Sequence, residues 1–284
     1  MFVKPTGRKR MLITGETGAG KTRSIRTFPG PKIVLVCPGE LGQDTLLKSD
    51  GTPIDEDTKV IVWENDPEKP ITSTAVIDAV RKQLFAIVKG TEGPIHTFCL
   101  DGVHKLYEYM IDAKSGGEYF SGSGWKTESK ADSAVVDPRI AAQAEHLLAD
   151  TLSIVSLSRI PIVVATMWDK DAGTHTPKIN PDGSKEKWQD IPKYKMPGLY
   201  SAASKKILGM FSYCVYAWGR ERRVEETMAT GQKKWVTKRL YEWQTMPDAE
   251  IGACQIKIDD KIITTIPKLI PADWRELAKY VEGV

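Results

Sequence analysis

The stretch that most constrains this chain is Met11-Leu12-Ile13-Thr14-Gly15-Glu16-Thr17-Gly18-Ala19-Gly20-Lys21-Thr22, an apolar run that breaks into glycines and ends in Gly-Lys-Thr. An apolar strand followed by G-x-x-x-x-G-K-[ST] and a helical pattern over residues 21–28 is the context in which such a loop binds phosphate. Glycines let consecutive N–H groups of residues 15–22 turn inward around phosphate oxygens, which a Cβ would obstruct. Lys21 then meets the β- and γ-phosphates, and the Thr22 hydroxyl is a ligand for Mg²⁺. The alternative is an ordinary glycine-rich turn with a solvated lysine.

The order of patterns that follows predicts an α/β fold. Pro29-Gly30-Pro31 stops the first helix, and Lys32 to Cys37 is apolar on both faces, as a strand of a parallel sheet must be. Glu40 lies just past that strand, where open α/β sheets bind ligands. It is either a site residue or the cap of a helix starting near residue 41. Residues 59–63 read as a third strand. Residues 75–89 carry apolar positions at helical spacing, with Thr72 or Ser73 as cap.

The strand His96 to Asp101 ends in an acid followed by Gly102. A carboxylate at the end of a buried strand beside a phosphate loop can hold the water shell of Mg²⁺. Asp101 is assigned that role, with capping of a helix over 103–113 as its alternative. Because Gly102 takes the place where many ATPases carry a water-activating Glu, the base must come from elsewhere, and Glu40 is positioned to supply it.

Residues 114–136 lose periodicity and mix Gly and Ser with Tyr119, Phe120, Trp125 and Lys126. Stacking rings and cations on a loop are what single-stranded nucleic acid requires; aromatics packed on the domain are the equal alternative. Asp137-Pro138 opens a helix to about Ser158, and residues 162–166 form another buried strand. Thr166 at its end is placed to sense a γ-phosphate or to hydrogen-bond within the core. A second irregular stretch over 169–199 interleaves Lys178, Lys187, Trp188 and Lys193 with acids, so nucleic-acid contact and solvated loop both remain open. Lys205 and Lys206 are candidates to reach a neighbouring subunit. Residues 213–218 and 234–243 read as an antiparallel pair around Thr230-Gly231, and a last helix ends near Val281.

Composition excludes more than it assigns. The chain has 284 residues, 41% of them hydrophobic, and a net charge of +3, too small for a global field to select nucleic acid. Cys37, Cys99, Cys214 and Cys254 form no C-x-x-C pair and read as buried thiols, and the four histidines lack zinc-ligand spacing. No run of about 18 apolar residues occurs, so a soluble, intracellular protein is expected, with a core over 1–218 and a hairpin-and-helix extension over 219–284.

The combination of Gly15 to Thr22, Pro38-Gly39-Glu40-Leu41-Gly42, Phe98-Cys99-Leu100-Asp101, Val163-Val164-Ala165-Thr166 and Met196-Pro197-Gly198-Leu199 resembles phage nucleotide-binding proteins with a RecA-like core, including the core-only single-strand annealing ATPases of phage recombination. The resemblance implies a RecA-like P-loop ATPase with ATP and Mg²⁺ as cofactors. It also implies Glu40 positioning the attacking water, DNA-binding loops in the two irregular stretches, and a homo-oligomeric ring or filament. Single-stranded DNA is the implied partner, with a single-strand-binding protein beside it, in the cytoplasm of a bacterial host. Pro38 stands where the family tends to have Asp, and Thr166-Met167-Trp168 where it often has Thr-Ala-His. The other reading is a nucleotide-gated replisome or helicase-loading module that does not itself act on DNA. No compact Arg-rich lid argues for a nucleotide kinase.

Overall fold

The computed structural model describes residues 7–40, 42–63, 72–117, 138–172, 194–197, 199, 207–228, 232–248, 251, 254–256 and 265–281. Among the described residues six strands form the parallel part of one sheet: β1 (Lys9–Gly15), β2 (Lys32–Val36), β3 (Thr58–Ile61), β4 (Thr97–Asp101), β5 (Ile162–Ala172) and β7 (Tyr213–Thr227). β6 (Tyr194–Pro197) pairs antiparallel with β5, β8 (Lys233–Gln244) and β9 (Gln255–Ile256) with β7, and β10 (Leu269–Pro271) with β8. The order across the main sheet is β10-β8-β7-β1-β5-β4-β2-β3.

Alternation along the strands sorts side chains into two apolar layers. Leu12, Ile33, Leu35, Phe98, Leu100, Val163 and Ala165 face one way, against α2 (Ser73–Lys89), α3 (Val103–Lys114) and α4 (Pro138–Ser156). Met11, Ile13, Val34, Val36, Cys99 and Val164 face the other, against Ile25 of α1 (Lys21–Ile25) and against Trp274, Leu277 and Val281 of α5 (Trp274–Val281). The fold is therefore a mostly parallel sheet with helices on both faces, carrying antiparallel C-terminal strands. The C-terminal helix is part of the second layer: Trp274 stacks on Phe28 with ring centroids 5.1 Å apart.

Local signals set the element ends. The Thr72 hydroxyl accepts from Ala75 N–H at the start of α2, which stops at the left-handed Gly90. Arg10 is buried and donates to the carbonyls of Ser156, Ser158 and Ile160 at 2.7–3.0 Å, satisfying the end of α4. All four cysteines are buried, and none forms a disulfide. Among the described residues no helix is long and apolar enough to cross a membrane.

Three expectations are corrected. A short 3-10 turn, Gly42–Thr45, follows Glu40 where an α-helix was expected. β5 does not end at Thr166 but continues to Ala172, because pairing with β6 satisfies its backbone over residues 169–172. β7 is not merely one arm of an appended hairpin: its residues 213–216 pair parallel with β1 inside the core before it runs out with β8. In the strand order, β5 stands between the loop strand β1 and the Asp101 strand β4.

Candidate functional site

The loop that follows β1 is held in shape by its own lysine. Lys21 is buried, and its Nζ donates to the carbonyls of Gly15 and Glu16, both at 2.8 Å. Burial lowers the pKa of the ammonium, while the nearby carboxylates of Glu40, Asp101, Asp169 and Glu16 pull it back up. A cation in this position, with a glycine-rich backbone around it, is suited to a polyanion. Gly20 is left-handed at φ +83°, and its Cα sits against the Tyr241 ring so closely that a side chain would overlap the ring.

Asp101 ends β4 in the core, 1% exposed. Thr22 Oγ1 donates to its Oδ2 at 2.9 Å, and Thr166 Oγ1 donates to Oδ1. The Thr166 oxygen in turn accepts from Gly102 N–H at 2.9 Å. Thr166 thus bridges β5 to the end of β4 from the middle of its strand. Burial pushes the Asp101 carboxyl above the ordinary range, against the two hydroxyls and Lys21, which act to lower it. Asp101 does not cap α3: the N-cap is Gly102, left-handed and without a side-chain hydrogen bond.

Glu40 reaches the same place from the turn after β2. The turn is anchored by Cys37 N–H donating to Asp101 C=O at 2.8 Å and by Glu40 N–H donating to Cys37 C=O at 3.1 Å. The Glu40 side chain lies over Gly102, where a Cβ would come within 2.8 Å of Oε2. Only a residue without a side chain accommodates both that contact and φ +87°.

Sequence reasoning gave no role here to His104, Lys105, Trp168, Asp169 or Tyr216. His104 Nε2 is 3.4 Å from Glu40 Oε2, its Nδ1 accepts from Trp168 N–H at 3.4 Å, and its ring stacks on Trp168 at 4.0 Å. Burial, with Lys105 and Lys21 nearby, lowers the His104 pKa to about 3, so the ring is neutral at pH 7. Lys105 Nζ sits 4.8 Å from the Trp168 ring centroid. Asp169 accepts from the buried Tyr216 hydroxyl at 2.8 Å and contributes to the field at Lys21. The signal for His104 lay in its position three residues after Asp101, on the first turn of α3; nothing in the sequence marked Tyr216.

Asp101 and Thr22 together offer oxygen donors of the kind Mg²⁺ takes alongside water and phosphate. Glu16, Thr17, Gly18 and Ala19 complete the loop around Lys21. The proposed DNA-binding residues Tyr119, Phe120, Trp125, Lys126, Lys178, Lys187, Trp188 and Lys193 lie outside the described residues, as do Lys205 and Lys206. The chain matches no protein-family model and no curated protein.

Proposed function

We propose that this chain binds a nucleoside triphosphate with Mg²⁺ and hydrolyses it, using a RecA-like P-loop site to act on single-stranded DNA. One observation carries the reading: Lys21, the Thr22–Asp101 pair and Glu40 come together from three separate segments at one end of the parallel sheet.

Each residue has a task in an in-line phosphoryl transfer to water. Lys21 neutralises charge on the terminal phosphates. Thr22 and Asp101 would hold the Mg²⁺, which supplies electrostatic stabilisation of the phosphate oxygens when bound. Glu40 orients the attacking water and takes its proton. Thr166 keeps Asp101 in place. The origin of Glu40, on the turn after β2 rather than directly after Asp101, supports the RecA-like reading over the Asp-Glu type. The DNA task rests on the resemblance to phage annealing ATPases.

Phosphate release from Mg²⁺-ATP, with and without a single-stranded oligonucleotide, tests this. Lys21→Ala should abolish release, and Glu40→Gln should still bind ATP but turn over about 10²–10⁴ times more slowly. DNA-stimulated release surviving in Lys21→Ala would sink the mechanism, and loss of ATP binding in Glu40→Gln would make Glu40 structural. Hydrolysis without salt-dependent oligonucleotide affinity would favour a nucleotide-gated assembly module instead.

A further inference from the structure

A cleft of about 550 Å³ opens beside the phosphate loop, lined among others by Gly20, Arg23, Arg239, Tyr241 and Asp273. We propose that this cleft takes the base and ribose of the nucleotide whose phosphates occupy the loop, with the paired Arg23 guanidinium and Tyr241 ring as the platform for a purine. The proposal rests on the nucleotide-binding reading of the loop, and extends it to residues of the C-terminal hairpin.

Direction comes from the strand order. β4 and β2, which carry Asp101 and lead to Glu40, lie on one side of β1; β7 and β8 lie on the other. A triphosphate whose reacting end faces Glu40 and Asp101 leaves its opposite end pointing toward β8. There Tyr241 packs on Gly20, and Arg239 Nη2 donates to Gly18 C=O at 3.1 Å, so the hairpin touches the loop at two of its glycines.

Chemistry gives the class of ligand. The Arg23 guanidinium carbon stands 5.3 Å from the Tyr241 ring centroid, and Arg23 is exposed toward the cleft. A planar cation lying over an aromatic ring presents its outer face, backed by that ring, as a flat surface on which any nucleobase can stack, a purine most because of its area. The other cations of the lining are committed elsewhere: Arg26 bonds Asp55, Arg275 bonds Asp273 and Arg239 bonds the Gly18 carbonyl. The cleft volume lies within the range of small-molecule sites.

The test compares Mg²⁺-ATP with Mg²⁺-tripolyphosphate, which has the phosphates and no base, by calorimetric titration. Wild-type protein should bind ATP at least about tenfold more tightly, the scale of one base-stacking contact. Arg23→Ala and Tyr241→Ala should each shrink that ratio to about threefold or less while tripolyphosphate affinity holds. Arg23 is exposed, so its variant reports on the cleft even if Tyr241→Ala perturbs the loop.

Equal wild-type affinity for the two ligands would overturn the cleft assignment and leave the loop reading intact, whereas binding of neither would overturn both. Parallel loss of both affinities in the Arg23→Ala variant would reassign the residue to supporting the loop. Weakened oligonucleotide binding in Arg23→Ala with the ATP ratio unchanged would reassign the cleft to nucleic acid.

Discussion

His104 Nε2 stands 3.4 Å from Glu40 Oε2, on a ring held between that carboxylate and the face of Trp168. Nε2 makes no aligned hydrogen bond among the described residues, and an unmade bond of a buried group costs about 1–3 kcal/mol. A neutral imidazole with Nδ1 accepting from Trp168 must carry its proton on Nε2, facing Glu40. His104 is therefore a positioning residue for the proposed base. His104→Phe, which retains a ring to stack on Trp168, should lower kcat about ten- to a hundredfold with little change in KM. A shift in KM alone would remove His104 from this role.

The same histidine makes stability depend on acid. Its pKa is about 3 in the folded chain against 6.5 ordinarily, so between those values the unfolded chain binds the extra proton. The contribution is complete above about pH 6.5 and is lost as pH falls toward 3, with a slope of up to about 1.4 kcal/mol per pH unit. Denaturant unfolding between pH 4 and pH 7 should show a shallower slope in His104→Phe than in wild type. Equal slopes would place the acid sensitivity elsewhere.

Asp101 works in the opposite sense. Its folded pKa is raised, so its favourable contribution exists below the ordinary carboxylate range and is lost as pH rises through the raised value. Once ionised, the buried carboxylate is a net cost without a metal partner. Asp101→Asn should raise the melting temperature in the presence of EDTA and abolish the further rise that Mg²⁺-ATP produces in wild type. A lower melting temperature in EDTA would mean that the Thr22 and Thr166 hydrogen bonds outweigh the buried charge.

Gly102→Ala places a methyl against Glu40 and forces alanine to φ +87°. Left-handed backbone costs a non-glycine residue roughly 1–2 kcal/mol, and Glu40 must move as well. Thermal melting should register the destabilisation, and phosphate release should fall while ATP binding persists. Unimpaired release would show that Glu40 functions from a different position.

Trp274→Ala removes a ring that is buried and stacked on Phe28 at 5.1 Å. Loss of about 3–5 kcal/mol is expected in urea unfolding, in one transition if the C-terminal helix belongs to the core. An early separate transition would make residues 219–284 an independently melting unit.

Much of the local structure was legible because it depends on short-range chemistry. Apolar runs on both faces marked β2 and β4, helical spacing and Thr72 marked α2, and the Gly-Lys-Thr ending marked the loop. Pairing was less legible. The continuation of β5 to Ala172 depends on β6, more than twenty residues on, and the two roles of β7 depend on β1 on one side and β8 on the other.

Asp101 and Glu40 could be picked out from the chain because one acid ends a buried strand and the other closely follows one, positions set by the one-dimensional pattern. The sequence by itself thus determined the α/β class, the loop and these two acids. Only the tertiary structure decided that β5 stands between loop and acid with Thr166 as the bridge, that His104 and Trp168 back Glu40, and that Tyr241 and Arg239 lie against the loop. Those relationships join residues up to 221 positions apart. They arise from the order in which strands assemble and the faces their side chains occupy, which no local pattern encodes.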